Sequence, residues 1–548
     1  MYKKGLLLLG ICLSISLAAC GGADNNTAST AAPTTEATTM APEETATPTP
    51  EPTATATPEP TEKPVESWFE NLEPAKAYKG LEDTNPIITQ CFGADPYALV
   101  YGDTVYLYMT ADVYERDATG ALKENSYGKI NTIRVVSTKD MVNFEDHGAI
   151  KVGGSKGAAT WAANSWAPAA AWKNIDGQDK FFLYFADSAR GIGVLVADSP
   201  TGPFTDPIGG ALIDRSVPNC ESITWLFDPA VLVDDYGRAY LYFGGGVPEG
   251  KEADPGNARV VELGADMISL ACDPVTIDVP YLFEDSGIHK YQDKYYYTYC
   301  SNWQVDQAGT DTYGFHSAEI VSMVSDSPMG PFVVKETILE NPGKYFGLYG
   351  NNHHCVFSFK DQWYITYHTR LLEKNMGIEL GYRSTHVDTF IMQEDGTIGI
   401  IQQTKNGRKQ LDYMDAYAEN NATCVAVQGG VNTVAADAIA TFYGAGTMAL
   451  ANMEEGAFVK ICGVDFGTTP PESFTAMIKA ASGANGAIQI RVDGLDGEIL
   501  GYLNVDRITG VNYEAYVSKL NTDITGVHDL YFIFCGDNYR VMSWRFEK

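Results

Sequence analysis

Five stretches of this chain repeat one pattern, and that repeat restricts the fold more than any other feature. In each, a short apolar run leads to a turn rich in Asp, Gly or Lys. A strand with paired aromatics follows, such as Tyr106/Tyr108, Tyr240/Tyr242 or Tyr297/Tyr299. The units start near residues 95, 167, 228, 284 and 353. Short strands at this spacing predict an all-β array of five four-stranded blades, a five-bladed β-propeller. The segments ADSPTGPF (197–204) and SDSPMGPF (325–332) are read as turns closing outer strands. Three units open on a carboxylate: Asp95 in DPYALVYGDTVYLY, Asp228 in DPAVLVDDYGRAYLY and Glu284 in EDSGIHKYQDKYYYTY. The second unit follows Trp166, and the fifth starts at His353.

The chain has 548 residues, too many for one ordinary domain. After about residue 405 the repeat gives way to a second all-β region, in which AIQIRVDG alternates polar and apolar residues. Its length suits a β-sandwich of the jelly-roll kind. The expected division is a signal peptide over 1–20, a disordered linker over 21–66, the propeller over 67–407 and the sandwich over 408–548. The first twenty residues run from lysines through an apolar stretch to Leu17-Ala18-Ala19-Cys20, the order of a secretory signal. Their ending resembles a bacterial lipoprotein box, which implies a lipid on Cys20, attachment to a membrane and an exported, cell-surface location. The next stretch is almost wholly Ala, Thr, Pro and Glu and reads as an extended stalk.

A net charge of -32 excludes nucleic acid as the main partner, because phosphates would be repelled. The eight cysteines after Cys20 show no zinc-ligand spacing and scatter through apolar strands, as buried thiols do. No organic cofactor is expected.

If the first position of each unit faces the propeller axis, Asp95, Asp228 and Glu284 converge on one pocket. Glycoside hydrolysis needs such a group. One protonated carboxyl serves the leaving oxygen, an ionised carboxylate activates water, and a third can tune the pair. Side chains alternate along a strand, so only one of Glu284 and Asp285 is expected to face the pocket.

The segments GADPYALVYGDTVYLYMT, NSWAPAAAW, TWLFDPAVLVDDYGRAYLYFGG, FEDSGIHKYQDKYYYTYCSN and YGNNHHCVFSFKDQWYITYHTR resemble glycoside hydrolase family 43 over about 85–400. FEDSGIHKY and GNNHH are most similar to its arabinoxylan arabinofuranohydrolases. The resemblance implies Asp95 as general base, Glu284 as general acid and Asp228 as the residue that tunes and orients the acid. It also implies inversion, with base and acid about 6.5 to 9.5 Å apart. Trp166 and Trp225 are expected to offer flat faces to a sugar, and Asn352 and Arg383 to bond its hydroxyls. His353 matches the family's axial histidine, implying a largely hydrated calcium ion on the propeller axis, with His354 as the alternative holder.

Residues 410–548 resemble carbohydrate-binding module family 6 through GVDFG, GEILG and TGVHDLYFIF. Tyr513 and Tyr516 stand where that family usually has tryptophans, whereas Asn452 replaces an aromatic and Val541 a binding Asn. A sugar-binding cleft and a purely packing role both remain open. The leading expectation is an exo-acting α-L-arabinofuranosidase that removes arabinose branches from plant cell-wall arabinoxylan. β-Xylosidase or endo-acting xylanase/arabinanase activity and a non-catalytic surface carbohydrate-binding lipoprotein are the alternatives.

Overall fold

The computed structural model describes residues 64–436 and 444–548. Cys20, the signal and nearly all of the linker lie outside the described residues. The propeller consists of five consecutive antiparallel sheets. Blade 1 holds β1 (Ala94–Tyr101), β2 (Thr104–Thr110), β3 (Thr132–Thr138) and β4 (Phe144–Lys151). Blade 2 has three strands, β5 (Trp166–Ile175), β6 (Gln178–Ala186) and β7 (Ile192–Ala197). Two isolated bridges, Ile192 to Ile213 and Val196 to Thr205, stand where its fourth would run. Blade 3 is β8 (Ala230–Val233), β9 (Ala239–Phe243), β10 (Ala258–Leu263) and β11 (Val275–Ile277). Blade 4 is β12 (Leu282–Tyr291), β13 (Lys294–Ser301), β14 (Ile320–Ser325) and β15 (Val333–Leu339). Blade 5 again has three: β16 (His354–Phe359), β17 (Gln362–Thr369) and β18 (Ser384–Phe390).

The paired aromatics tie neighbouring blades together. Tyr108 on β2 donates to the Pro200 carbonyl at 2.6 Å and Tyr242 on β9 to the Pro328 carbonyl at 2.7 Å, so each reaches the turn of the next blade. Tyr184 on β6 bonds the Met267 carbonyl of blade 3 at 2.7 Å. A buried phenol needs such a partner, and for Tyr108 and Tyr242 the turns carrying the DSP sequences supply it.

The ring closes through the chain's own N-terminal segment. Residues before β1 run beside β18, with the Ile87 N–H donating to the Thr385 carbonyl at 3.0 Å and the Gly93 N–H to the Arg383 carbonyl at 3.1 Å. Asn85 bonds both the N–H and the carbonyl of Val387 at 3.0 Å, mimicking a strand neighbour.

The C-terminal region is a β-sandwich built around two long strands, Ser473–Val492 and Val527–Glu547, which bend at register breaks. Phe474, Ile488, Phe532, Trp544 and Phe546 fill its core. The propeller and sandwich interleave, which the expected boundaries at 67 and 407 do not capture. The strand Cys424–Val425 pairs with β4, extending blade 1. Phe69, Leu72, Ala77 and Leu81 pack with Val427, Phe458 and Ile533 of the sandwich. All eight described cysteines are free thiols, and only Cys272 among them is exposed.

Candidate active site

Four of the five inner strands begin with the same backbone irregularity. Asp95, Ala167, Asp228 and Asp285 have φ of 48°, 39°, 50° and 69°, in the left-handed region that Asp tolerates better than most residues. Where β1, β5 and β12 pass this point their pairing register breaks. Proline follows Asp95, Ala167 and Asp228, so these positions are matched in sequence as well. The fourth matched position is therefore Asp285, and Glu284 stands one residue ahead of it, level with Ala94, Trp166 and Phe227. This corrects the sequence expectation that Glu284 opens its unit in the place of Asp95. The irregularity also breaks simple alternation. Glu284 lines the pocket, while Asp285 remains close to the axis beneath it, with Oδ1 3.1 Å from His353 Nε2 and Oδ2 2.5 Å from His354 Nδ1.

The strands open onto a cavity of about 410 Å³ on the axis, where Asp95, Asp228 and Glu284 share one wall system. Trp166 and Trp225 flank them, as their positions suggested. Tyr127 stands edge-on to Trp166, with ring centroids 6.3 Å apart, and its ring lies 4.7 Å from the Arg383 guanidinium. Sequence reasoning missed Tyr127 because it belongs to a long connection between β2 and β3 with no repeat pattern.

The carboxylates are driven apart electrostatically. Burial alone would raise Asp95. The Arg383 guanidinium, His353 and His368 outweigh it and hold this carboxyl well below the usual range. Arg383 Nη1 donates to Asp95 Oδ1 at 2.8 Å, and its Nε and Nη2 bind Asp112 at 3.0 and 2.8 Å. The Asp95 backbone N–H also donates to His368 Nδ1 at 3.1 Å. Arg383 thus clamps Asp95, in addition to lining the pocket. Glu284 is pushed the other way, chiefly by burial and then by the charges of Asp95 and Asp285. Asp228 is also raised, by burial and by Glu284. Asp228 Oδ2 accepts the Asp285 N–H at 3.0 Å and so holds the backbone that carries Glu284. One ionised carboxylate and one protonated carboxyl facing the same cavity are what general base and general acid require.

Asn352 is not where the sequence suggested. It is fully buried and its amide donates to the Ala318 carbonyl at 3.1 Å, while the preceding Asn351 lines the cavity. The repeated Asn in GNNHH made the one-residue choice undecidable from spacing.

His353 lies on the axis, with Nδ1 3.6 Å from Asp95 Oδ1 and 3.8 Å from Asp228 Oδ2. No group of three or more His, Cys, Asp or Glu that could hold a metal ion occurs among the described residues. Calcium takes six to eight oxygen ligands, so the side chains present do not form a calcium cage. His354 is committed to Asp285 and to the Thr298 hydroxyl at 2.7 Å.

In the sandwich, Tyr516 belongs to the core, only 3% exposed, with its hydroxyl bonded to the Arg507 carbonyl. It offers no face to a sugar, contrary to expectation. The alternation of its strand turns it inward. Tyr513 is half-buried, with Lys479 Nζ 5.9 Å from its ring centre.

Comparison with known proteins agrees with this geometry. The sequence model for Glycosyl hydrolases family 43 matches residues 83–398, and that for Carbohydrate binding module (family 6) matches 421–548. An arabinoxylan arabinofuranohydrolase of Paenibacillus polymyxa is 44% identical over 479 residues, covering 85% of this chain and 74% of that protein. One from Bacillus subtilis is 42% identical, covering 86% and 93%. The crystal structure of a glycoside hydrolase family 43 arabinoxylan arabinofuranohydrolase from Bacillus subtilis, in complex with cellotetraose, superposes with a TM-score of 0.82. It is 40% identical and covers 87% of this chain and 99% of its own.

Proposed function

This chain belongs to glycosyl hydrolase family 43, the inverting glycosidases, and on that premise we propose that it removes α-L-arabinofuranosyl branches from arabinoxylan by exo action. Asp95 takes the proton of the attacking water, Glu284 protonates the leaving oxygen, and Asp228 orients the strand that carries Glu284. The observation that carries this reading is the opposite displacement of Asp95 and Glu284 around one cavity of about 410 Å³. Trp166 and Trp225 supply its walls, and the names of the similar enzymes support the choice of substrate.

A product profile on arabinoxylan tests the substrate. Free arabinose with the xylan chain left at full length is expected, and xylose or xylo-oligomers as main products would overturn the reading. Glu284→Gln should lose most turnover on natural branches, roughly a hundredfold or more, yet spare substrates with good leaving groups. Asp95→Asn should abolish activity on both. Turnover unchanged in these variants would take the proton transfers away from Glu284 and Asp95, and binding without turnover in the unsubstituted chain would point to a protein that only binds.

A calcium ion near His353, held mostly by water, belongs to the same proposal; it would supply positive charge near Asp95 and Asp228. EDTA treatment should then lower thermal stability or activity, with calcium restoring it, and an unchanged protein would remove the ion from the scheme. Export with a lipid on Cys20 and attachment to a membrane are also proposed, supported by the N-terminal residue order. Fatty-acid labelling that Cys20→Ser abolishes is the expected result.

A further inference from the structure

The sandwich carries a second cavity, of about 300 Å³, remote in sequence from the catalytic residues and lined by Asn452, Lys479, Asp537, Asn538 and Arg540. Lys479 and Arg540 are direct cross-strand partners, on Ser473–Val492 and Val527–Glu547. Like charges placed opposite each other on a sheet destabilise it. The ion pairs around this face are Arg507–Glu514, Arg545–Glu419 and Arg545–Glu547, so among the described residues neither Lys479 nor Arg540 has a carboxylate partner. In a chain of net charge -32, leaving two adjacent cations unpaired at one cavity is unexpected. Asp537, exposed beside them, accepts from the Asn538 amide at 2.8 Å. Next to Lys479, Tyr513 is half-buried, with its hydroxyl beside the Arg540 guanidinium.

We propose that this cavity binds a sugar bearing a carboxylate, a uronic acid unit of a polysaccharide, between Lys479 and Arg540. The volume is at the small end of ligand pockets, about 300 to 1,000 Å³, and suits one or two rings. Arg540 offers a planar fork that matches a carboxylate, Lys479 adds a point charge, and Asn452 and Asn538 can bond ring hydroxyls. A neutral sugar gains little here. Tyr539, the aromatic in the lining, is only 3% exposed and its hydroxyl bonds the Cys535 carbonyl, so no ring is presented for stacking. The site goes beyond the catalytic reading and does not depend on it.

Calorimetric titration of the full chain at low salt with D-glucuronate, D-glucose, acetate and inorganic phosphate tests the proposal. Glucuronate should bind saturably and at least about tenfold more tightly than the other three. Lys479→Gln and Arg540→Gln should each weaken it about tenfold or more, and Arg540→Lys by less. Melting temperatures of the three variants verify that they fold. Equal affinity for glucose, or no saturable glucuronate binding, would overturn the proposal. So would phosphate or acetate binding as tightly as glucuronate, which marks a bare anion site. Glucuronate binding that survives both glutamine substitutions would place it elsewhere.

Discussion

Arg383 is the charged residue that does most to hold Asp95 below Glu284. Its guanidinium holds Asp95 low and, as a lesser effect, restrains Glu284 from rising. A base must be ionised to work, so the acid limb of the kcat/KM profile should lie below the ordinary carboxylate range. An acid must be protonated, so the alkaline limb should lie above it. Arg383→Met removes the positive charge from Asp95, and the acid limb should move to higher pH, with kcat/KM falling about tenfold or more even at the new optimum. A profile whose acid limb stays in place would show that Arg383 does not set the charge of Asp95. Asp112, buried and gripping Arg383 through two oxygens, has no sequence signal at all. It lies 271 residues from its partner and outside every repeat unit.

At the scale of elements, the blades were legible because each is assembled from consecutive residues, and the apolar-turn-aromatic order is a local property of the chain. What joins blades was not. The DSP turns were read only as turns, and their role as acceptors for Tyr108 and Tyr242 emerges when blades stand side by side. Placing Glu284 at the repeat's first position failed for a related reason, since Asp285, unlike Asp95, Ala167 and Asp228, has no following proline to mark the break in strand register. Ring closure is likewise a non-local event. Asn85 pairs with Val387 and also accepts from Arg408 Nη1 at 2.6 Å, so one buried amide fastens the first and last blades. Asn85→Ala leaves several buried backbone and guanidinium groups without partners and should cost about 2 to 4 kcal/mol in urea unfolding. A loss under about 0.5 kcal/mol, typical of surface sites, would mean the ring does not depend on this latch.

Across the whole molecule, the propeller and the sandwich share structure as well as a boundary. Asp146 in β4 accepts from Thr433 Oγ1 of the sandwich side while paired with Arg134, and Lys460 of the sandwich bonds the Leu81 carbonyl at 3.1 Å. The full chain should therefore melt in one transition, and a chain ending at residue 407 should melt several degrees lower or fail to fold, as calorimetry can show. Two separable transitions in the full chain would contradict the shared core. The left-handed residue at the head of the inner strands has a wider consequence. Because the backbone there favours Asp over most side chains, the ring is predisposed to acquire acidic groups on its axis before any reaction selects them. Ala167 shows that the choice is not forced. Exchanging the residue at one such position would rewrite the charge at the centre while the five blades stay as they are, so chemistry in this architecture can diversify one side chain at a time.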